Sequence, residues 1–415
     1  MYKSRFINSL LDRGFLHQST NLEKLDQLCF KWSISGYIGF DCTADSLHIG
    51  SLSQIMMLRH FQEAGHKPII LMGGGTTKVG DPSGKDSSRP LLTNSDIISN
   101  KEAIKKIFER YLSFGDKSND AIMVDNADWL DKLELIPFLR QYGKHFSINR
   151  MLSMDSVKLR LEREQPLTFL EFNYAILQAY DFLELNRRLD CLLQMGGSDQ
   201  WGNIVTGVDL TRRIVGNEVF GLTSPLVTTS SGLKMGKTEK GAIWLNKGKL
   251  SEWDFWQFWR NTEDHDVIKF LKLFTDLSTD EIKKLEKLKG SEINEAKIIL
   301  AHETTKLCHG LQAAQFAEQT AKDTFVKGNL GSNLPTFKVD LSKTDRISLV
   351  DALCLTKLTS SKSEARRLIK GGGAKINNSQ QKDENHYIVP KDFNKVNNLK
   401  ISSGKKNHAV LTVDI

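Results

Sequence analysis

Two short segments, far apart in the chain, carry residues that could bind the phosphates of a nucleotide. The first is H-I-G at residues 48–50, where a short apolar run gives way to a helical pattern. The second is K-M-G-K-T at residues 234–238, whose two lysines could close over a triphosphate. A helix N-terminus offers free N–H groups and partial positive charge to an anion, and cationic side chains neutralise charge as it develops. The pair therefore predicts a phosphate-binding site built from two distant segments.

More familiar phosphate motifs are absent. A P-loop requires G-x-x-x-x-G-K-[ST]. The first glycine is replaced by Ser231 ahead of G-K-T at 236–238, and by Val79 ahead of G-K at 84–85. The pattern G-x-G-x-x-G that starts at the glycines after residue 72 fails at Lys78. These departures exclude P-loop NTPases and dinucleotide-binding Rossmann domains.

The elements that would position these segments form a strand–helix–strand unit. Residues 36–41 predict a buried strand, residues 51–65 a helix that stops at Gly65, and residues 67–72 a second strand that ends in three glycines. Short connections between such elements favour a parallel sheet in an α/β fold. Ligands bind such sheets at the carboxyl ends of the strands. Asp41, the H-I-G segment and the loop at 73–85 are expected at that edge.

The sequence predicts further helices and strands along the chain. Residues 174–183 predict a helix in which Tyr174, Gln178 and Asp181 share one face, since their spacings are four and three. A polar helix face without function would show the same spacing. The remaining predictions are helices at 96–114 and 131–165, a strand with a glycine-rich loop at 191–203, a helical region at 251–327, a linker at 328–340 and a compact C-terminal domain.

The net charge of +7 is located in the last fifth of the chain. Residues 338–415 contain 15 Lys and Arg but 8 Asp and Glu, whereas residues 1–337 contain 42 of each class. A basic module on a neutral body is typical of proteins that bind RNA or DNA, although a solubilising tail would give the same balance.

The composition further restricts the kinds of protein that this chain could be. The five cysteines are scattered without a C-x-x-C pair, which argues against a zinc site or a disulfide framework and favours a reducing, cytoplasmic location. No apolar run reaches the length of a bilayer span, so no membrane association is expected. The N-terminus shows no secretory signal pattern.

Taken together, these segments resemble the class I aminoacyl-tRNA synthetases, and closely the bacterial-type tyrosyl-tRNA synthetases. Y-I-G-F-D-C-T-A-D-S-L-H-I-G is similar to the family's first motif, and K-M-G-K-T to its K-M-S-K-S loop. G-D-P-S-G-K, F-N-Y-A-I-L-Q-A-Y-D-F and G-G-S-D-Q-W-G-N resemble its tyrosine-site segments. S-K-S-E-A-R-R-L-I-K-G-G-G resembles the S4 RNA-binding fold. The resemblance runs nearly from end to end.

The resemblance implies an α/β protein in several parts. It implies a Rossmann-like parallel-sheet catalytic domain at 1–228, and at 229–327 the lysine loop with an α-helical anticodon-binding domain. After the linker at 328–340, it implies a small α+β S4-like RNA-binding domain at 341–415. It also implies a homodimer with contacts around 130–165.

The reaction implied by the resemblance is tyrosine–tRNA ligation. Tyrosine would attack the α-phosphate of ATP to give tyrosyl-adenylate and pyrophosphate, and would then pass to the 3′ end of tRNA(Tyr). ATP is expected as a substrate together with Mg²⁺, with no tightly bound cofactor and no protein metal site. Two alternatives stay open: a tryptophan–tRNA ligase of the same subclass, and an inactive relative that only binds RNA.

The resemblance also assigns roles to residues. The catalytic set, which would bind the phosphates and the leaving pyrophosphate, is His48, Lys85, Arg89, Lys234, Lys237 and Thr238. The tyrosine-binding set is Tyr37, Asp81, Tyr174, Gln178, Asp181 and Gln200. The ATP-binding set is Gly39, Asp41, Thr43, His48, Gly50, Ser51, Gly197, Asp199, Lys234, Met235 and Lys237. The RNA-binding set is Arg346, Lys362, Arg366, Arg367, Lys370, Lys375, Lys405 and Lys406.

Three positions near the first motif depart from the family pattern or vary within it. Ser51 stands in place of the motif's second histidine, and Cys42 stands where the family usually has proline. Gln54, one turn after Gly50, is placed where the helix could reach a ribose. Because serine still donates a hydrogen bond at a helix start, we expect a weakened transition-state contact at Ser51 and not the loss of the site.

Overall fold

The computed structural model describes residues 2–83, 92–232, 235–238, 241–325, 334–339, 341, 345–394, 397–404 and 407–413. At 237–238 and 323–325 it describes the backbone alone. Contacts divide the chain into two compact units. The first is Met1–Leu250 with Phe258–His309, and the second is Ser251–Gln257 with Gly310–Ile415.

A mainly parallel sheet lies at the centre of the first unit. Its strands are β1 (Gln18–Ser19), β2 (Ser35–Asp41), β3 (Lys67–Gly73), β4 (Ile122–Asp125), β5 (Cys191–Gly197) and β6 (Phe220–Ser224). Among the described residues their order is β1-β6-β5-β2-β3-β4, and only the short β1 runs antiparallel to its neighbour. The predicted α/β class with a parallel sheet is confirmed.

The central strands are apolar along most of their length. In β3, Ile69, Ile70, Leu71 and Met72 are all buried. Such runs are expected where helices cover both faces of a parallel sheet. The strands end in polar or small residues that gather at one edge: Asp41, Gly73, Asp125, Gly197 and Ser224.

Helices pack around this sheet. They are α1 (Arg5–Arg13), α2 (Leu22–Lys31), α3 (Ile49–Glu63), α4 (Asn94–Tyr111), α5 (Ala127–Leu130), α6 (Leu135–Gln141), α7 (Ile148–Leu152), α8 (Asp155–Glu162), α9 (Phe169–Phe172), α10 (Tyr174–Leu189), α11 (Trp201–Val215), α12 (Glu252–Arg260), α13 (Val267–Phe274), α14 (Thr279–Leu285) and α15 (Ile293–His309). The unit boundary falls within α12. A hairpin of β7 (Lys237–Thr238) and β8 (Gly241–Ala242) precedes α12. Among the described helices, none combines the length and apolar character needed to span a bilayer.

Two arginines hold the α13–α14 connection against the sheet layer. Arg13 donates to the backbone carbonyl groups of Lys272 and Thr275, each at 2.9 Å. Arg59 on α3 forms a two-point ion pair with Asp276, at 2.8 and 2.6 Å. The Arg13 bonds satisfy carbonyl groups at the end of α13 that its own helix leaves unpaired.

The second unit contains a separate small α+β core. Its five-stranded sheet has the order β12-β11-β14-β15-β9, and a two-stranded ribbon pairs β10 with β13. The strands are β9 (Thr336–Val339), β10 (Ile347–Ser348), β11 (Ala374–Ile376), β12 (Ser379–Gln381), β13 (Tyr387–Ile388), β14 (Asn398–Ser403) and β15 (Asn407–Val413). The helices are α16 (Leu311–Phe325), α17 (Leu349–Leu355) and α18 (Lys362–Lys370). Leu349, Leu353, Ile369, Leu399 and Leu411 are buried together in the core beneath α17 and α18.

The predicted linker at 328–340 is wrong in its last part. Residues 336–339 form β9, which pairs in parallel with β15. Val339 is buried in the core and Phe337 packs against that core, which gives the strand alternation that the nearby glycines, asparagines and proline obscured. Residues 328–333 and 340 lie outside the described ranges.

Candidate active site

A cavity of about 800 Å³ opens at the carboxyl edge of the parallel strands. The ends of β2, β3 and β5, the first turn of α3 and the inner face of α10 line it. One end is closed by buried polar side chains from β2 and α10, and the other is bordered by the H-I-G segment and Met235 of the lysine loop. The H-I-G segment, the lysine loop and the polar face of α10 therefore border the same cavity.

The Asp181 carboxyl group lies at the closed end and is held from two sides. It accepts hydrogen bonds from the Trp129 indole at 2.7 Å and from the Asn126 side-chain amide at 3.0 Å. Burial raises the pKa of this carboxyl to about 7 against the effect of the two donors, and the carboxylates of Asp41 and Asp125 add to the increase. Asp181 is thus fixed in position, and its burial makes the ionised form costly.

Two buried polar atoms at this end have no hydrogen-bond partner in the described part of the chain. They are the Tyr37 hydroxyl and the Gln194 side-chain carbonyl, and both residues line the cavity. Burial, followed by the nearby Asp181, raises the pKa of Tyr37 well above its usual value, so its hydroxyl stays a donor. Because unpaired buried polar groups are costly, these atoms indicate a ligand with a hydrogen-bonding group at its tip.

A chain of hydrogen bonds runs from the closed end along the cavity wall. The Asn126 amide donates to the Thr76 hydroxyl at 3.0 Å, and that hydroxyl donates to Asp41 at 2.8 Å. The Tyr174 hydroxyl donates to the other oxygen of Asp41 at 3.2 Å. Burial, with Asp41 next in effect, raises the pKa of Tyr174. Asn126 thereby couples the position of Asp181 to that of Tyr174.

A second network holds the opposite wall. Gln200 donates to Asp81 at 2.8 Å, and Asn203 donates to both Gln200 and Gln178, at 3.1 and 3.0 Å. Burial raises the pKa of Asp81, with Asp199 adding to the increase and the bonds from Ser83 and Gln200 opposing it. With Tyr174, these groups offer acceptors on two sides of the same space, which suits a cationic ammonium group.

His48 forms the N-cap of α3 at the open end. Its Nδ1 accepts the N–H of Gly50 at 3.0 Å, so the neutral ring carries its proton on Nε2. A Cβ on Gly50 would lie 2.6 Å from the His48 ring, so this close approach requires glycine. Ser51, the next residue in the turn, is half-buried and lines the cavity.

The lysine loop contacts the H-I-G segment directly. After the β7–β8 hairpin the chain returns alongside α3, and the N–H of Ile49 donates to the carbonyl of Ile243 at 2.9 Å. A Cβ on Gly236 would lie 2.8 Å from the Gly50 nitrogen and 2.9 Å from His48 Nδ1, and Gly236 has φ 99°. The two segments that are nearly two hundred residues apart in sequence therefore form one site.

Two family models together match residues 31–411 of this chain. The model for class I tRNA synthetases (W and Y) matches residues 31–326, and the model for the tyrosine–tRNA ligase SYY-like C-terminal domain matches residues 327–411. Tyrosine–tRNA ligase of Novosphingobium aromaticivorans is 58% identical over 410 residues, 99% of this chain and 98% of that protein. The same enzyme of Zymomonas mobilis is 60% identical, with the same coverage. This chain belongs to the tyrosyl-tRNA synthetases.

A solved structure of a synthetase agrees with this membership. The C-terminally truncated mitochondrial tyrosyl-tRNA synthetase of Aspergillus nidulans is 30% identical, with a TM-score of 0.69. The match covers 77% of this chain and 94% of that one. The relatives favour tyrosine over the alternative of a tryptophan–tRNA ligase.

The structure brings most of the predicted site residues of the synthetase together around the cavity. Those that line it are Tyr37, Gly39, Asp41, Thr43, His48, Gly50, Ser51, Asp81, Tyr174, Gln178, Asp181, Gly197, Asp199, Gln200 and Met235. Lys85, Arg89 and Lys234 lie outside the described residues, and Lys237 and Thr238 are described by their backbone only. Cys42 adjoins the site but is absent from its lining.

Sequence reasoning missed four residues of the synthetase site: Thr76, Asn126, Trp129 and Gln194. Asn126 directly follows β4, so recognising residues 122–125 as a strand would have placed it at the same edge. Gln194 is a polar residue inside an apolar strand, and that contrast was a usable signal. Thr76 lies in the loop at 73–85 that the sequence places at the same edge, although its bond to Asp41 was not predicted. Trp129 offered no signal, because its bond to Asp181 depends on contacts across the fold.

The predicted RNA-binding residues lie in the second unit. Lys362, Arg366, Arg367 and Lys370 are all on α18, and Arg346 lies just before β10. Two of the α18 side chains are paired: Lys362 with Asp351 at 2.8 Å, and Lys370 with Glu384 at 3.1 Å. Lys375 is on β11, whereas Lys405 and Lys406 lie outside the described residues.

Proposed function

We propose that this synthetase activates tyrosine with ATP and transfers it to the 3′ end of tRNA(Tyr). One observation carries the choice of amino acid: the unpaired Tyr37 hydroxyl and the fixed Asp181 carboxyl lie at the closed end of the cavity. Together they offer a donor and an acceptor to a phenol. Phenylalanine would fill the same volume but leave the Tyr37 hydroxyl buried without a partner and offer no donor to Asp181, so it would be rejected.

The rest of the amino acid would lie along the two networks. Asp81, Tyr174 and Gln178 would accept the α-ammonium group, and Gln200 lies near enough to orient the carboxylate. The carboxylate would then point towards His48, the direction in which its oxygen must attack the α-phosphate. Holding the two reactants in this geometry is the main contribution that such a site makes to the rate.

Charge stabilisation at the phosphates would come from the open end. His48 Nε2–H would donate to the α-phosphate as the bond forms. Lys234, Lys237 and Thr238 would close over the leaving pyrophosphate together with Lys85 and Arg89. Mg²⁺ would enter with ATP as part of the substrate, and the described residues contain no cluster of three or more metal-ligating side chains that would hold it independently.

The nucleoside would lie against backbone at the ends of the strands. Gly39, Gly50 and Gly197 leave the approach open, and Asp199 would accept from the ribose hydroxyls. Asp41, Thr43, Ser51 and Met235 complete the lining of this part.

The test is amino-acid-dependent ATP–pyrophosphate exchange. Exchange driven by tyrosine alone among the twenty amino acids supports the proposal. Exchange driven by tryptophan would replace it with the other activity of the subclass. Absence of exchange with every amino acid, in a protein that still binds tRNA, would indicate the inactive RNA-binding relative. The cytoplasm, where translation uses charged tRNA, is the location this function predicts.

The second unit would bind tRNA with the exposed cations of α18. Phosphate contacts by lysine and arginine supply affinity without reading bases. Replacing Arg366 and Arg367 together by glutamine should weaken tRNA charging and leave tyrosine-dependent exchange intact. Equal loss of both activities would contradict a separate RNA-binding module at 341–415. As a further part of the proposal, the helices at 229–327 would face the anticodon of the tRNA.

We also propose that the protein forms a homodimer. Among the described residues, nine of the twenty exposed large apolar side chains fall between residues 135 and 170. They include Leu135 and Ile136 on α6, Ile148 on α7 and Phe169 on α9, all more than half exposed. Such a concentration is typical of a subunit interface. Ile136→Glu should give a monomer by light scattering, and Ile98→Glu, at an exposed position on α4, is the matched control.

A further inference from the structure

An exposed aromatic ring in the second unit is paired with one of its basic side chains. The Arg346 guanidinium lies over the ring of Tyr387, 4.5 Å from its centroid. Tyr387 remains 46% exposed. A ring that contacts a cation and still faces solvent offers a flat apolar surface next to positive charge.

The ring is held on rigid backbone. Tyr387 pairs with Ser348 across the β10–β13 ribbon, and the N–H of Leu349 donates to the carbonyl of its neighbour His386 at 2.9 Å. The next residue, Ile388, is fully buried in the core. Arg346 follows a left-handed residue, Asp345, with φ 49°, which fixes the turn from which it reaches the ring. The ring is therefore presented by paired strands, and Arg346 reaches it from the turn just before β10.

Two cations on α18 are connected to the strand opposite the ring by a short series of contacts. Ser348, opposite Tyr387, accepts the N–H of Asp351 at 3.0 Å as the N-cap of α17. Asp351 pairs with Lys362 at 2.8 Å, and Arg366 lies close enough to help lower the pKa of Asp351, after the hydrogen bonds from Lys362 and Ser348. The residue that pairs with Tyr387 is thus connected through Asp351 to two further basic side chains. The patch formed by Arg346, Tyr387, Lys362 and Arg366 is called the aromatic–basic patch below.

We propose that the aromatic–basic patch binds an unpaired base of RNA, stacked on Tyr387 and its arginine, with Lys362 and Arg366 on the flanking phosphates. Sequence-tolerant proteins bind single-stranded nucleic acid with this combination of aromatic faces and cations. Proteins that recognise RNA at loops and bulges stack the exposed bases on aromatic rings or guanidinium planes. This inference rests on the proposed function, because it assigns a base contact to the same tRNA partner.

Two variants of the full-length protein separate stacking from other roles of the side chain. Tyr387→Leu keeps apolar bulk but removes the aromatic face, whereas Tyr387→Phe keeps the face and removes the hydroxyl. The measurement is the Kd for a tRNA(Tyr) transcript by filter binding at several salt concentrations. Tyr387→Leu should bind about tenfold more weakly, and Tyr387→Phe should bind as the unaltered protein does.

The salt dependence identifies the kind of contact that is lost. A stacked base releases no counterions, so Tyr387→Leu should leave the slope of log Kd against log salt unchanged. Arg366→Gln should reduce that slope by about one, the change expected for the loss of a single phosphate contact. A change of slope in Tyr387→Leu, or equal losses in the leucine and phenylalanine variants, would overturn the stacking role.

Covalent capture supplies an independent readout. A transcript with 5-iodouridine at its unpaired positions should crosslink to the unaltered protein on irradiation and lose that crosslink in Tyr387→Leu. Persistence of the same crosslink would contradict the proposal. A shift of Tyr387→Leu to a smaller oligomer by light scattering would assign the ring to a protein interface instead.

The outcomes keep this inference distinct from the proposed function. If the unaltered protein does not bind tRNA(Tyr), the proposed function and this inference both fail. If it binds tRNA(Tyr) but lacks tyrosine-dependent exchange, the proposed ligase activity fails, and the binding of the Tyr387 variants still decides the stacking inference. If exchange and binding are both present and Tyr387→Leu binds as tightly as the unaltered protein, only the stacking inference fails.

Discussion

The two ends of the cavity are built in different ways. At the closed end, Asp181 is oriented by Asn126 and Trp129, and all three side chains belong to the packed body of the first unit. At the open end, His48 and Gly50 lie against the backbone at Met235 and Gly236, from a segment nearly two hundred residues further along the chain. The closed end is preorganised before substrate binds, whereas the open end is completed by segments that approach each other.

This difference suggests that the two ends of the cavity have separate roles. A rigid end suits selection, because its unpaired polar groups penalise any side chain that cannot satisfy them. An end made of loops suits charge stabilisation, because it can close around phosphates after they bind. Changes at the closed end should therefore affect tyrosine binding, and changes at the open end should affect the rate of adenylate formation.

The largest effect is expected for Asp181→Ala. The change removes the acceptor proposed for the phenol, leaves the Trp129 indole N–H without its partner and leaves Asn126 with its bond to Thr76 alone. The value of kcat/KM for tyrosine in pyrophosphate exchange should fall about a thousandfold, mainly through KM. A fall confined to kcat would show that the closed end acts in the chemical step. That result would contradict the assignment of tyrosine binding to the closed end and of adenylate formation to the open end.

His48→Ala should have the opposite profile. Removing one hydrogen-bond donor to a developing charge typically costs about a hundredfold in rate. Single-turnover adenylate formation should slow by that factor, and the Kd for tyrosine should be unchanged by equilibrium dialysis. A selective loss of tyrosine affinity would refute the role given to His48.

The raised pKa of Asp181 predicts a pH dependence of stability. The folded pKa of about 7 exceeds the usual value of 3.8, so the folded protein binds this proton more tightly than the unfolded chain does. The resulting contribution to the free energy of unfolding is present at pH 5 and falls by about 2 kcal/mol as the pH rises to 7.

Asp181→Asn removes this titrating group and provides the comparison. Unfolding by urea at pH 5, 6 and 7 should show the difference in stability, unaltered protein minus variant, decreasing with pH. A difference that stayed constant over this range would mean that Asp181 is ionised throughout and that the closed end tolerates a buried charge.

Gly236→Ala tests the contact between the two segments of the open end. A Cβ there would press on the Gly50 nitrogen and the His48 ring, at 2.8 and 2.9 Å. Gly232→Ala is the matched control, since Gly232 also has positive φ but would meet no atom within 4 Å. Adenylate formation should slow about tenfold more in Gly236→Ala than in the control, from displacement of His48. Equal effects of the two substitutions would mean that the slower adenylate formation comes from backbone strain alone.

The same contrast explains what the sequence could predict. The strands, the βαβ order and the polar face of α10 follow from periodicity and from strand ends, which are local properties of the chain. Asn126 and Thr76 were missed because they act through contacts between β3, β4 and α10 that no local pattern records. The strand β9 was assigned to the linker because its pairing partner, β15, lies some seventy residues later.

The smallest effect is expected for Ser51→Ala, at the position where the motif departs from its usual second histidine. Ser51 lines the cavity in the first turn of α3, and its backbone N–H already donates to the His48 carbonyl at 2.8 Å. Only the hydroxyl is therefore available to a ligand, and losing one neutral hydrogen bond should slow adenylate formation about two- to tenfold. Tyrosine affinity should not change, because the closed end is not involved. A hundredfold loss would place Ser51 beside His48 as a principal contact to the α-phosphate. An unchanged rate would instead mean that the open end relies on His48 and the loop cations, and that the missing imidazole has no substitute in this turn.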